Sequence, residues 1–268
     1  MNQATRSHPP APRIARCARA LIACIPWIAP AFPTPASAQN LIWENQGMTN
    51  AFGIDSGRTF NYNGAQVTLT WSVTTNGGDT IIPAYGSNYV SYQAGMEGGH
   101  IGHVLMGFDI SDDDPRSWVE MTLSFSTTQT NLAFSVLDID TGSWDDGVLI
   151  TYNGGTNVRA NTNLWSYAQT NASLRTVVID NETGFTGWEG DPTAAATNQN
   201  YGNVNLNFNG VSVNSITIRF FSTDDAENDP GSQKIGISDL YVVPEPPALL
   251  AGALIPLLLL LARRRMRR

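Results

Sequence analysis

The chain has 268 residues with 15 basic and 23 acidic side chains, a formal net charge of −8. All 23 acidic residues lie between Gln39 and Pro246. Only Arg58, Arg116, Arg159, Arg175, Arg219 and Lys234 are basic there, so this region carries −17. Such a surface argues against nucleic acid and anionic lipid as partners. Both cysteines, Cys17 and Cys24, precede it, so no disulfide can form within it and stability must come from a packed core or bound ions.

The N-terminus reads as a secretory signal. Arg13, Arg16 and Arg19 precede an apolar segment from Ala20 to about Ala31, and Ala36-Ser37-Ala38 follows the small-x-small pattern of a cleavage site. About a dozen apolar residues, interrupted by Pro26 and Pro30, fall short of the ~20 that a spanning helix needs. Signal peptidase is the expected processing partner, residues 1–38 are expected to be removed, and the mature chain is expected to start at Gln39.

From Gln39 onward, short alternating runs dominate. "AQVTLTWSV" places Val67, Leu69, Trp71 and Val73 on one face, and "WVEMTLSFS" does the same with Val119, Met121, Leu123 and Phe125. "LAFSVLDI", "GVLITYNG", "SLRTVVID", "NVNLNFNG", "SITIRFFS" and "IGISDLYVV" are further strand candidates, bounded by turns such as "TTNGGD", "DDDP" and "NDPG". Eight or so strands without intervening helices predict an all-β fold over residues 39–242: an antiparallel β-sandwich of jelly-roll type. The stretches 74–103 and 186–202 read as long surface loops, where binding is expected. "HIGH" (His100–His103) matches the nucleotide signature of class I aminoacyl-tRNA synthetases. It lacks the strand–helix context that motif needs, and i,i+3 histidines alone make a weak zinc signal.

The densest chemistry is "FSVLDIDTGSWDDGVLI", with Asp138, Asp140, Asp145 and Asp146. If Phe134 and Val136 face the core, strand parity carries Asp138 and Asp140 onto the same face, where unpaired carboxylates cannot stay. Either a bulge turns Leu137 and Ile139 inward, or the carboxylates emerge together toward a cation. A structural Ca²⁺ held by Asp138, Asp140, Asp145 and Asp239 of the final strand is one reading. A solvated turn is the other, because the spacing departs from an EF-hand loop. A second acidic stretch contains Asp224, Asp225, Glu227 and Asp229. Trp144, Trp165 and Trp188 sit in Gly/Asp/Asn-rich contexts. They are candidates for stacking on sugar faces, with plugging of the core beneath loops as the alternative. No nucleophile elbow, H-E-x-x-H or usable cysteine is present and no spacing singles out a pair of glutamates, so enzymatic activity is not expected.

The chain closes on "VPEPPALLAGALIPLLLLLARRRMRR". Sixteen uncharged residues, Pro247 to Ala262, reach roughly 24 Å as a helix, short of a ~30 Å hydrocarbon core. The terminal arginines orient the rest of the chain outside the cytoplasm. The order Val243-Pro244-Glu245-Pro246, apolar span, arginine cluster resembles the PEP-CTERM sorting signal of Gram-negative bacteria. The resemblance covers residues 243–268 only. It implies transient anchoring by a hydrophobic sorting helix, cleavage near Pro-Glu-Pro by a membrane-embedded exosortase, and delivery to the cell surface or an exopolysaccharide-rich biofilm matrix. The functional expectation is an exported protein whose β-sandwich binds extracellular polysaccharide or another outside partner. A purely structural matrix component is the alternative, and a glycoside hydrolase or lyase ranks third.

Overall fold

The computed structural model describes residues 39–168, 176–182, 185–190 and 194–244. The predicted signal peptide and the tail from Glu245, including Pro246, lie outside the described residues. Among the described residues the only helical element is one 3-10 turn, Trp43–Gln46, and no helix is long and apolar enough to cross a membrane.

Everything else regular is strand. In chain order these are β1 (Phe52–Gly53), β2 (Arg58–Tyr62), β3 (Ala65–Thr74), β4 (Ile81–Pro83), β5 (Val90–Glu97) and β6 (His100–Ile110). Next come β7 (Trp118–Gln129), β8 (Leu132–Leu137), β9 (Asp146–Tyr152), β10 (Thr156–Asn157), β11 (Trp165–Tyr167) and β12 (Thr176–Glu182). The last five are β13 (Phe185–Gly190), β14 (Val204–Asn207), β15 (Val213–Ser222), β16 (Gly231–Ile237) and β17 (Tyr241–Val242).

They form two antiparallel sheets packed as a sandwich. One runs β1-β5-β6-β16-β8-β14-β11, with β4 added to β6 and β17 to β8. The other runs β12-β13-β9-β15-β7-β3-β2, with β10 added to β9. The predicted alternation places the core. Val67, Leu69, Val119, Met121 and Leu123 are fully buried, as are Ile216, Ile218 and Phe220 beside them. Facing them from the first sheet stand Val104, Met106, Phe108, Ile235 and Ile237. Phe108 and Phe220 meet across the interior with centroids 4.7 Å apart. Each such ring contributes about 1.5–3 kcal/mol by leaving water.

The stretch 74–103 is not a loop throughout. Val90–Glu97 and His100–Ile110 are paired strands joined at Gly98-Gly99. Their glycines disguised them. A Cβ at Gly107 would come within 2.7 Å of the Tyr85 ring, and Gly98, Gly99 and Gly102 adopt positive φ. Likewise, 185–190 is a strand, and among the described residues of 186–202 only 194–202 runs as a loop. That loop is a strap. The carbonyl of Thr197 accepts from Gly99 N and that of Gly202 from Ile139 N, tying the β5–β6 turn to the end of β8. Asn203 completes the tie: its side-chain amide donates to Gly98 O at 2.7 Å, and its Oδ1 accepts from Asp138 N at 3.1 Å.

Candidate functional site

Strand β8 ends at Leu137 because Asp138 turns left-handed, with φ 62°. An aspartate tolerates this conformation better than most residues. The reversal resolves the parity conflict. Leu137 and Ile139 are both fully buried, while Asp138 and Asp140 both border a pocket. That pocket holds about 190 Å³ and is lined by Tyr85, Asp138, Asp140, Trp144 and Lys234, with Ala194, Ala195 and Thr197 of the strap and Ser232-Gln233 closing it. Gly190 lets the strand β13 approach closely, since a Cβ there would lie 2.1 Å from the backbone carbon of Asp140.

Its polar groups hold one another in place. Asp140 Oδ1 accepts from Trp144 Nε1 at 3.0 Å and its Oδ2 from Ala195 N at 2.6 Å. The Trp144 ring covers Gly142, where a Cβ would come within 2.8 Å of it. Lys234, the only lysine of the chain, ion-pairs with Glu97 and lies 3.9 Å from Asp138 Oδ2. Burial pushes the Asp138 carboxyl up to about 9, reinforced by its hydrogen bond to Glu97 and the charge of Asp140. Burial opposes the charge on Lys234, but its hydrogen bond to Glu97 and the nearby carboxylates outweigh that and raise its pKa. The group therefore reads as a neutral Asp138 beside a Glu97–Lys234 ion pair. Burial also raises Asp140, against the hydrogen bonds from Trp144 and Ala195 that favour its charge. Above the cluster, His103 is 1% exposed, and burial lowers its pKa to about 4, so it is neutral.

The four aspartates predicted to share one calcium do not come together. Asp138 and Asp140 flank the pocket, but the Lys234 ammonium already supplies the positive charge beside Asp138, and both Asp140 oxygens are occupied. Asp239 is elsewhere. Its Oδ1 accepts from Trp43 N at 2.8 Å and its Oδ2 from the Tyr241 hydroxyl at 3.3 Å, so it caps the 3-10 turn against the last strand. Asp145 joins Glu189 and Asp225, with carboxylate oxygens of all three within 4.8 Å of one another. Burial, and then the hydrogen bond to Asp225, push Asp145 up to about 9. The solvated-turn alternative is also corrected: Asp138, Asp140, Asp145 and Asp146 are each at most 6% exposed.

The three tryptophans separate as well. Trp188 is fully buried and is a core plug, not a surface ring. Trp165 lies directly opposite the buried Leu206 and meets Trp188 edge-on at 5.3 Å. It borders an open groove of about 410 Å³ whose outward row is Ser135, Ser166, Asn205, Asn207 and Tyr241. Only Trp144 is partly exposed at a pocket with fixed charges. The sequence did not single out Glu97 among its glutamates, nor Tyr85 or Lys234. The solitary lysine of an acidic domain was the available signal. The family models that were scanned contain no match to this chain, and neither do the curated proteins.

Proposed function

We propose that this chain is an exported surface or matrix protein whose sandwich is a jelly roll and binds a carbohydrate unit in the Trp144 pocket. The topology supports the jelly roll. Strands β6 to β9 alternate between the sheets, as do β13 to β16, giving the neighbour orders β6-β16-β8-β14 and β7-β15-β9-β13. This is two interleaved Greek keys. Export rests on the sequence signals at the two ends.

One observation carries the binding reading: the pocket joins an indole to hydrogen-bonding groups that are already locked in place. Pyranose C–H groups suit an aromatic face, and hydroxyls suit fixed carboxyl and ammonium groups. At about 190 Å³ the pocket is below the ~300–1,000 Å³ of ordinary small-molecule sites, so a single sugar unit fits, such as a chain end or branch. Its acidic surroundings favour a neutral or amino sugar over an acidic one. The glycosidase alternative needs two carboxyl groups ~5–9 Å apart that can both act on the substrate, whereas Trp144 and Ala195 hold both oxygens of Asp140 and Lys234 lies beside Asp138.

A glycan array probed with the full-length chain tests this. Neutral or amino glycans are expected to be retained, and Trp144→Ala to weaken retention at least tenfold while Trp165→Ala leaves it largely intact. Absence of retention on every glycan would favour the purely structural matrix role.

A further inference from the structure

Asp145, Glu189 and Asp225 reach one point from three separate segments. Asp145 precedes β9, and its carbonyl accepts from Thr223 N at 3.0 Å, which anchors the loop that follows β15. Thr223 Oγ1 then donates to Asp225 Oδ1 at 2.8 Å and turns that carboxylate back toward Asp145. Glu189 sits on β13 directly opposite Gly147 of β9, two residues beyond Asp145 and on the same face by strand parity. The convergence is therefore built by pairing and turn geometry, not by chance proximity of long side chains.

A second observation points to a ligand. Asp145 is only 5% exposed, and its Oδ1 is buried with no hydrogen-bond partner. A buried carboxyl oxygen left unsatisfied is unfavourable in a folded protein unless something pairs with it. Here that oxygen's carboxyl group stands among two others. Oxygens bound at 2.3–2.6 Å to one Ca²⁺ can be at most about 5 Å apart, and the 4.8 Å spread of these three falls inside that limit. The donor set is all oxygen, with no histidine or thiolate, which selects a hard cation over zinc or copper.

We infer that Asp145, Glu189 and Asp225 form a Ca²⁺ site that clamps the loop after β15 and the segment before β9 to β13. The inference is independent of the carbohydrate reading, because none of the three residues lines the Trp144 pocket. The site would tie Asp145, one residue from Trp144, and so stabilise the wall of that pocket at a distance from its contacts.

The experiment is thermal unfolding of the full-length chain in CaCl2, with NaCl at matched ionic strength and MgCl2 as comparisons. Calcium is expected to raise the melting temperature by several degrees in a saturable way, beyond the sodium shift. Asp225→Asn is the decisive variant, since Asp225 is exposed and its loss does not threaten folding. It is expected to abolish the calcium-specific increment and keep the salt response, whereas Asp138→Asn keeps both. Tb³⁺ emission excited through tryptophan is expected to appear with the parent chain and to fall at least tenfold in Asp225→Asn. Equal shifts from calcium and matched sodium would overturn the site. So would a full calcium increment in Asp225→Asn.

Discussion

At Asp138 a single backbone reversal converts an apolar strand into a polar wall. The left-handed turn breaks the strand alternation, so that Ile139 enters the core and the carboxyl is left among Glu97, Asp140 and Lys234. Leu137 is buried on the other face of the sheet, against Gly236 and His103. Its folded pKa, about 9, lies far above the ordinary ~3.9 of an unfolded aspartate. The folded state thus holds a proton that the unfolded chain releases. The resulting stabilisation is complete below about pH 4 and is lost as pH rises toward about 9. Asn keeps the shape, tolerates the same φ and is neutral throughout. Asp138→Asn is therefore expected to flatten the decline of melting temperature between about pH 5 and 9, with little change near pH 4. Melting curves that stay parallel for the two proteins across that range would mean that Asp138 is already ionised when folded.

Among the elements, the strap from 194 to 203 matters most to the site. It has no regular ladder, yet Asn203 fastens it to Gly98 and to the Asp138 amide, and Asn203 itself is 1% exposed. Asn203→Ala leaves a buried carbonyl and a buried N–H without partners, each worth about 1–3 kcal/mol. A loss of about 2 kcal/mol or more is expected in denaturant titrations, together with weaker glycan retention through a displaced Ala195. A loss under about 0.5 kcal/mol would show that the strap is held by other contacts. The contrast between this strap and the long strands explains what could be read from residues alone. Strands β3, β7 and β15 were legible because one face is oily and the other is wet. Strand β6 was not: Val104, Leu105 and Met106 are buried in succession, and outward-pointing His103 is buried too. Burial on both faces erases alternation, and glycines 98, 99, 102 and 107 added turn-like composition. The acidic residues of the site were visible, but their grouping was not. Asp138 and Asp145 are seven positions apart yet belong to different clusters, because the segment between them reverses through the Thr141–Asp145 bridge.

For the whole molecule, the two processing points expected from sequence fall at the margins of the hydrogen-bonded body. The carbonyl of Gln39 accepts from Asn63 N at 2.9 Å, so cleavage before Gln39 leaves that bond intact. At the other end Val242 N donates to Asn40 Oδ1 at 2.9 Å, and Val243 N donates to Asn131 O at 2.8 Å. A cut near Pro244–Pro246 follows directly after these anchors. It would release the apolar span and all five terminal arginines while sparing every described strand. It would also remove five of the eleven basic residues that follow Gln39, leaving a strongly acidic product. Intact-mass analysis of the surface or matrix form is therefore expected to show a chain starting at Gln39 and ending within a few residues of Pro246. Its melting temperature should lie within about 2 °C of the unprocessed chain, since every described strand and core residue is kept. In cells lacking exosortase, the form ending at Arg268 is expected to accumulate in the inner membrane fraction. Recovery of Arg268 on the surface-exposed form of exosortase-bearing cells would contradict processing at this site and leave the terminal segment as an ordinary anchor.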